Sequence, residues 1–139
     1  MNRAIILASH GSLANGMLSA VEMIIGKVVD MYAFGLEQYE SPQVIYDHVK
    51  QITNELTIVV CDLKGGSVYN QLIRMANHDN VCIISGMNLG LTLELALTHF
   101  NEDYRDVIES IVDRCKDGVE LFDYEKALSE NEKEEDSLW

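Results

Sequence analysis

Twice in this chain an apolar run without polar alternation stops at a glycine-bearing turn and gives way to a helical stripe, and no other feature restricts the fold as much. Ala4-Ile5-Ile6-Leu7-Ala8 leads into Ser9-His10-Gly11, and Thr57-Ile58-Val59-Val60-Cys61 leads into Asp62-Leu63-Lys64-Gly65-Gly66-Ser67. A strand that is apolar at every position is covered on both faces, which marks a parallel sheet between helix layers. In such sheets ligands and chemistry gather outside the carboxyl ends of the strands, so a His and an Asp delivered there from two strands can meet.

The rest of the chain repeats the unit. Residues 3 to 9 form the first strand, followed by a helix with Leu13, Met17, Val21 and Ile24 on one stripe and Gly26 as its C-terminal cap. A second strand covers 28 to 35. Ser41 and Pro42 then open a helix whose buried stripe is Ile45, Val49, Ile52 and Leu56. The third strand is 57 to 61, and Ser67 caps a helix carrying Val68, Leu72, Met75 and Ala76. The fourth strand runs from Val81 to Ser85, followed by the loop Gly86 to Gly90 and a helix from Leu91 to Phe100. Another amphipathic helix bears Tyr104, Ile108, Ile111 and Cys115, and Val119 to Asp123 reads as a short antiparallel edge strand. The expected architecture is a single α/β domain over residues 1 to 124, with a mainly parallel, doubly wound sheet in the order 2-1-3-4. In that order the chain reverses between strands one and three, which end at His10 and Asp62. Residues 125 to 139 turn acidic and read as a helix or a solvated tail.

Composition removes several classes of function. A net charge of −13 disfavours nucleic acid and anionic membrane surfaces as partners and suits a basic protein surface. No apolar run approaches the roughly 20 residues needed to span a bilayer, and Met1-Asn2-Arg3 leads straight into a strand, so neither a membrane anchor nor a signal peptide is expected. Cys61, Cys82 and Cys115 lie in apolar patterns and read as buried thiols of a reducing compartment. Neither Cys-x-x-Cys nor His-x-x-x-His is present, and Gly65-Gly66-Ser67 lacks the Gly-Lys-Ser/Thr signature of a nucleotide loop, so no metal and no cofactor is expected.

His10 is the candidate reactive group. Taken alone it is a surface-loop histidine, but Ser9 and Ser12 offer hydroxyls, Gly11 lets the backbone approach a ligand, and the following helix aims its amino end at the same place. Asp62 is either a turn residue or a carboxylate that accepts Nδ1–H from His10, fixing the tautomer and stabilising charge as Nε2 gains a substituent. Gly65, Gly66 and Ser67 are either a plain turn or a set of N–H and O–H donors for phosphate oxygens. Asp30, Tyr32 and Asn70 are further candidates for the crevice, whereas His48, His78 and His99 read as ordinary surface or turn residues.

Three ordered motifs, strand-Ala8-Ser9-His10-Gly11-x-Leu13-Ala14-x-Gly16, strand-Asp62-Leu63-x-Gly65-Gly66-Ser67-x-x-Asn70 and Ile84-Ser85-Gly86-Met87-Asn88-Leu89, give the chain a resemblance. Over about residues 3 to 123 it resembles the IIA component of the mannose/fructose/sorbose family of the bacterial sugar phosphotransferase system. The resemblance implies a cytoplasmic homodimer in which His10 accepts a phosphoryl group from the histidine phosphocarrier protein HPr and passes it to a IIB component, the membrane being reached only through IIC and IID. It implies that Asp62 supports the histidine and that the strand at Val119 to Asp123 is exchanged between subunits. The chain departs from the family pattern at Val68, where proline is usual, at Lys64, where a bulky apolar residue is common, and at Gly90. Two other readings are the phosphotransfer subunit of a dihydroxyacetone kinase, whose motifs usually run Ser-His-Ser and Asp-Leu-Gly-Ser, and a non-catalytic module that binds a small anion at His10. Gly11 and the Gly65-Gly66 pair favour the sugar-transport branch.

Overall fold

The computed structural model describes residues 1–52 and 54–137. Among them a four-stranded, all-parallel sheet runs in the order β2-β1-β3-β4, built from β1 (Arg3–Ser9), β2 (Met31–Gly35), β3 (Leu56–Cys61) and β4 (Val81–Ser85). The middles of the central strands are apolar because both faces are covered: Ile5, Ile6 and Leu7 in β1 and Ile58, Val59 and Val60 in β3 are fully buried. In register, Ala8 of β1 lies beside Cys61 of β3, so His10 and Asp62 leave neighbouring strands at the same level.

Side chains alternate between two cores, as strand geometry requires. On one face Ile5, Leu7, Ile58 and Val60 pack with α1 (Leu13–Ile25), α4 (Leu89–Leu97) and α5 (Tyr104–Cys115). On the other, Ala4, Ile6, Val59 and Cys61 pack with α2 (Pro42–Val49) and α3 (Ser67–Leu72). The expected caps are present at Gly26, whose φ is 85°, and at Ser41, whose hydroxyl accepts from the Val44 N–H.

Several boundaries differ from the expectation for local reasons. β2 begins at Met31 rather than residue 28, because the Met31 N–H turns back to the Val28 carbonyl and leaves Val29 exposed. α2 ends at Val49, the Gln51 and Ile52 N–H groups bond three residues back, and Leu56 opens β3 instead of extending a helical stripe. After Leu72 the helix tightens into a 3-10 turn over Ile73–Asn77; at three residues per turn Leu72 and Met75 stay inward while Ala76 swings out to solvent. α4 starts at Leu89, two residues early, because the Asn88 side chain accepts from the Leu91 N–H and caps it. The antiparallel strand expected over Val119–Asp123 pairs with no strand among the described residues: these residues lie outside any regular element, with Val119 88%, Leu121 70% and Phe122 58% exposed. A helix, α6 (Tyr124–Ser137), follows, and the last two residues of the acidic segment fall outside the described residues.

Candidate active site

All four strands point their carboxyl ends the same way, and the order reversal between β1 and β3 opens the crevice there. The β1–α1 turn brings His10 and the β3–α3 turn brings Asp62. One carboxylate oxygen, Asp62 Oδ2, accepts both the His10 backbone N–H at 2.9 Å and the ring at Nδ1, 2.8 Å away. The carboxylate is therefore held against the loop that carries the ring as well as against the ring itself. Asp62 is 10% exposed in its side chain and His10 47%, so the acid is enclosed while the imidazole reaches solvent.

Burial pushes the Asp62 carboxyl up, but the His10 backbone N–H, the His10 ring and the Leu63 N–H together pull it further down, and it ends below the ordinary carboxylate value. An ionised carboxylate only accepts, which places the proton on Nδ1 and leaves the Nε2 lone pair facing outward. On the far side of the ring Ser67 Oγ lies 3.2 Å from Nε2. Such an imidazole is a nucleophile whose developing positive charge is met by a fixed anion. Next to it, burial and the Asp62 charge push the Cys61 thiol up to about 12, and Cys115, half-buried and bonded to Glu94, rises to about 11; neither supplies a thiolate at neutral pH.

The expected phosphate-binding residues divide into two groups. Ser67 faces the reactive nitrogen, but as the first residue of α3 rather than its cap; the cap position is Gly66. Ser9 does not face a ligand. Its side chain is fully buried, its hydroxyl accepts from the Ala14 N–H at 2.7 Å and donates to the His10 carbonyl at 2.9 Å, and so it secures the β1–α1 turn. Gly66 is not a free donor either, since its N–H closes the turn onto the Leu63 carbonyl. Its contribution is a missing side chain: a Cβ there would sit 3.2 Å from His10 Cε1. Gly65 takes a φ of +79° in that turn, and Gly11 takes +50° with its carbonyl accepting from the Glu37 N–H.

Of the secondary candidates, only Asn70 belongs to the site: its Nδ2 donates to the Gly65 carbonyl at 3.0 Å. Asp30 lies at the amino ends of the strands, paired with Arg3, and Tyr32 lies mid-strand beside Ile6. Gly35 is a residue that sequence reasoning missed. A Cβ on it would stand 2.3 Å from the Gly11 carbonyl oxygen, so the end of β2 must be bare for the His10 loop to settle. The loop from Gly86 to Asn88 abuts the neighbouring strand end, the Met87 N–H donating to the Cys61 carbonyl. Among the described residues no three His, Cys, Asp or Glu side chains are grouped to hold a metal, and no helix is long and apolar enough to cross a membrane.

Comparison with known proteins follows the same residues. Positions 4–112 match the family model EIIA-man, described as PTS system fructose IIA component. The sorbose-specific EIIA component of the PTS system of Lacticaseibacillus casei is 26% identical over 137 residues, covering 95% of this chain and 98% of that one. Two solved structures are similar. The PTS IIA protein associated with the fucose utilization operon of Streptococcus pneumoniae superposes with a TM-score of 0.74 at 31% identity, over 92% of this chain and 97% of that one. The mannose/sorbose-specific IIA subunit of Enterococcus faecalis gives 0.72 at 25% identity, over 88% and 96%.

Proposed function

Because the chain belongs to the EIIA-man family of phosphotransferase-system IIA components, which act in sugar phosphotransfer, we propose that His10 is a phosphoryl carrier, charged by phosphorylated HPr and discharged to a IIB component. The observation that carries this reading is the one-sided imidazole: Nδ1 bonded to the enclosed Asp62 at 2.8 Å, Nε2 directed outward beside Ser67.

In the forward step the Nε2 lone pair of His10 attacks phosphorus in line with the donor's phosphorus–nitrogen bond. That bond breaks, and its electron pair returns to the donor imidazole. No proton has to leave His10, because the Nδ1 proton stays on the ring, donated to Asp62 Oδ2 throughout, and the positive charge gained by the ring is balanced by the carboxylate. The transition state spreads charge over three equatorial oxygens, so catalysis comes from alignment and preorganised donors. Ser67 Oγ, released from Nε2 as phosphorus arrives, and the unpaired N–H groups that open α3 are placed to serve those oxygens. Exchange between two imidazoles conserves nearly the same bond, so the step runs in either direction, as a relay requires.

The carrier is cytoplasmic and meets the membrane only through IIC and IID. It is a homodimer in which Val119–Asp123 is exchanged onto the partner's sheet. Three features support that assembly: the outer edge of β4 has no neighbouring strand among the described residues, a groove of about 510 Å³ lies along it between Lys64, Arg105 and Lys116, and Val119, Leu121 and Phe122 are largely exposed. A monomeric mass in light scattering at micromolar concentration counts against it. The carrier reading itself is tested by incubation with phosphorylated HPr: the intact mass gains one phosphate, acid-labile and mapped to His10, and a IIB component removes it. Stoichiometric labelling that survives in His10→Ala ends the proposal.

A further inference from the structure

We infer that Asn70 is a positioning residue of the transfer site: by pinning the Gly65 carbonyl it keeps Gly66 against the His10 ring and the Ser67 hydroxyl at Nε2. The inference rests on the reading of His10 as the phosphoryl acceptor.

The segment that carries Ser67 is difficult for the backbone alone to hold. The Gly66 N–H donates to the Leu63 carbonyl at 3.1 Å and Gly65 sits third in that turn with φ +79°, the geometry of a type II turn. Two consecutive glycines have more conformations to lose than any other pair, and nothing on their side chains selects one. A single residue four to five positions on closes both carbonyls. Asn70 Nδ2 donates to Gly65 O at 3.0 Å, and the Asn70 backbone N–H donates to Gly66 O at 2.8 Å. The peptide planes on either side of Gly66 are thereby set from within α3.

Gly66 is the residue of this turn that faces the ring across a gap too small for a side chain, since a Cβ there would stand 3.2 Å from His10 Cε1. Ser67, the next residue, places its hydroxyl 3.2 Å from Nε2. A rotation of the Gly65–Gly66 peptide therefore moves a wall of the imidazole and a donor at the reacting nitrogen together. Asn70 itself touches no reacting atom. Its side chain is exposed and belongs to neither core, and asparagine is an indifferent helix former at that position. Its visible work is the Gly65 bond.

The test compares Asn70→Ala, Asn70→Asp, Ser67→Ala and the Asn70→Ala/Ser67→Ala double variant of the full chain. Readouts are single-turnover phosphorylation by phosphorylated HPr, urea unfolding, and the ¹⁵N resonance of His10 Nε2 without a donor. Asn70→Ala is expected to slow transfer roughly 10- to 100-fold, the scale of a small misplacement near the reacting atoms, with an unchanged unfolding midpoint. Asn70→Asp keeps the shape but has no N–H to give, so it slows transfer at least as much. The double variant is no slower than the slower single one, because both act through one contact. In Asn70→Ala the Nε2 resonance shifts towards its position in Ser67→Ala. A wild-type rate in Asn70→Asp, losses that multiply in the double variant, or an unmoved Nε2 resonance each overturns the inference. If the parent chain takes no phosphate from HPr, the carrier reading fails instead, and the resonance still decides whether Asn70 positions Ser67.

Discussion

The β1–α1 and β3–α3 turns are built from the same parts, a buried strand, glycine and a serine, yet they use the serine in opposite ways. Ser9 faces the interior and spends both hydrogen-bonding capacities on the backbone, accepting from the Ala14 N–H and donating to the His10 carbonyl. Ser67 stands one residue inside its helix, makes no cap, and offers its hydroxyl to His10 Nε2. The first turn is therefore locked by its serine and presents a ring; the second is locked by Asn70 and presents a donor. Rigidity and reactivity are assigned to different residues in each turn, and a buried hydroxyl with two protein partners is available for the first task only.

The most severe way to break this contrast is to remove the ring. His10→Ala is expected to take no phosphate at all, read as the absence of a mass increase after exposure to phosphorylated HPr. Asp62→Asn keeps the ring but reverses what its neighbour stabilises; transfer should fall on the order of 10,000-fold in single-turnover kinetics, by analogy with loss of the orienting acid in catalytic triads. A rate within threefold of wild type would mean that the carboxylate is only a turn residue.

The serines sharpen the comparison directly. Ser67→Ala should cost roughly 10- to 100-fold in transfer and leave the unfolding free energy unchanged. Ser9→Ala should do the reverse: it strands the buried Ala14 N–H and costs about 1–3 kcal/mol in denaturant unfolding, with a smaller effect on rate. Swapped outcomes would show that the two hydroxyls have been assigned to the wrong tasks.

The smallest effect is a pH dependence. Asp62 titrates below its unfolded value of about 4, so its contribution to stability is complete above that pH and is lost as pH falls through the lower folded value. Acid unfolding of the wild type should therefore steepen below about pH 4, and Asp62→Asn should flatten that limb. Equal acid limbs for the two proteins would show that the His10 contacts do not stabilise the ionised acid in the folded state.

Much of this was legible in the residues. Uninterrupted apolar runs identify the parallel sheet because complete burial leaves no other use for them, but they do not choose among strand orders, and the order β2-β1-β3-β4 comes from the pairing itself; a His and an Asp at two strand ends are conspicuous by type and place. The roles of Ser9 and Ser67 were not separable, since both flank a strand-to-helix junction and only the direction of the side chain distinguishes them. Gly35 carries no local signal: its constraint is the Gly11 carbonyl on the adjacent strand's turn, a contact made by the register of β1 and β2. The strand expected at Val119–Asp123 has the alternation of an edge strand but pairs with no strand among the described residues, although the β4 edge is open, so pattern alone could not place it.

An all-parallel sheet gives the molecule a working pole and an idle one. Every loop with chemistry leaves from the carboxyl ends, while the Asn101–Asp103 turn sits by the amino ends, beside Met1 and Glu55. A fluorophore, a surface tether or a genetically inserted tag at that turn would report on or immobilise the protein without shading His10, which makes the quiet end of the fold the natural handle for watching phosphate come and go.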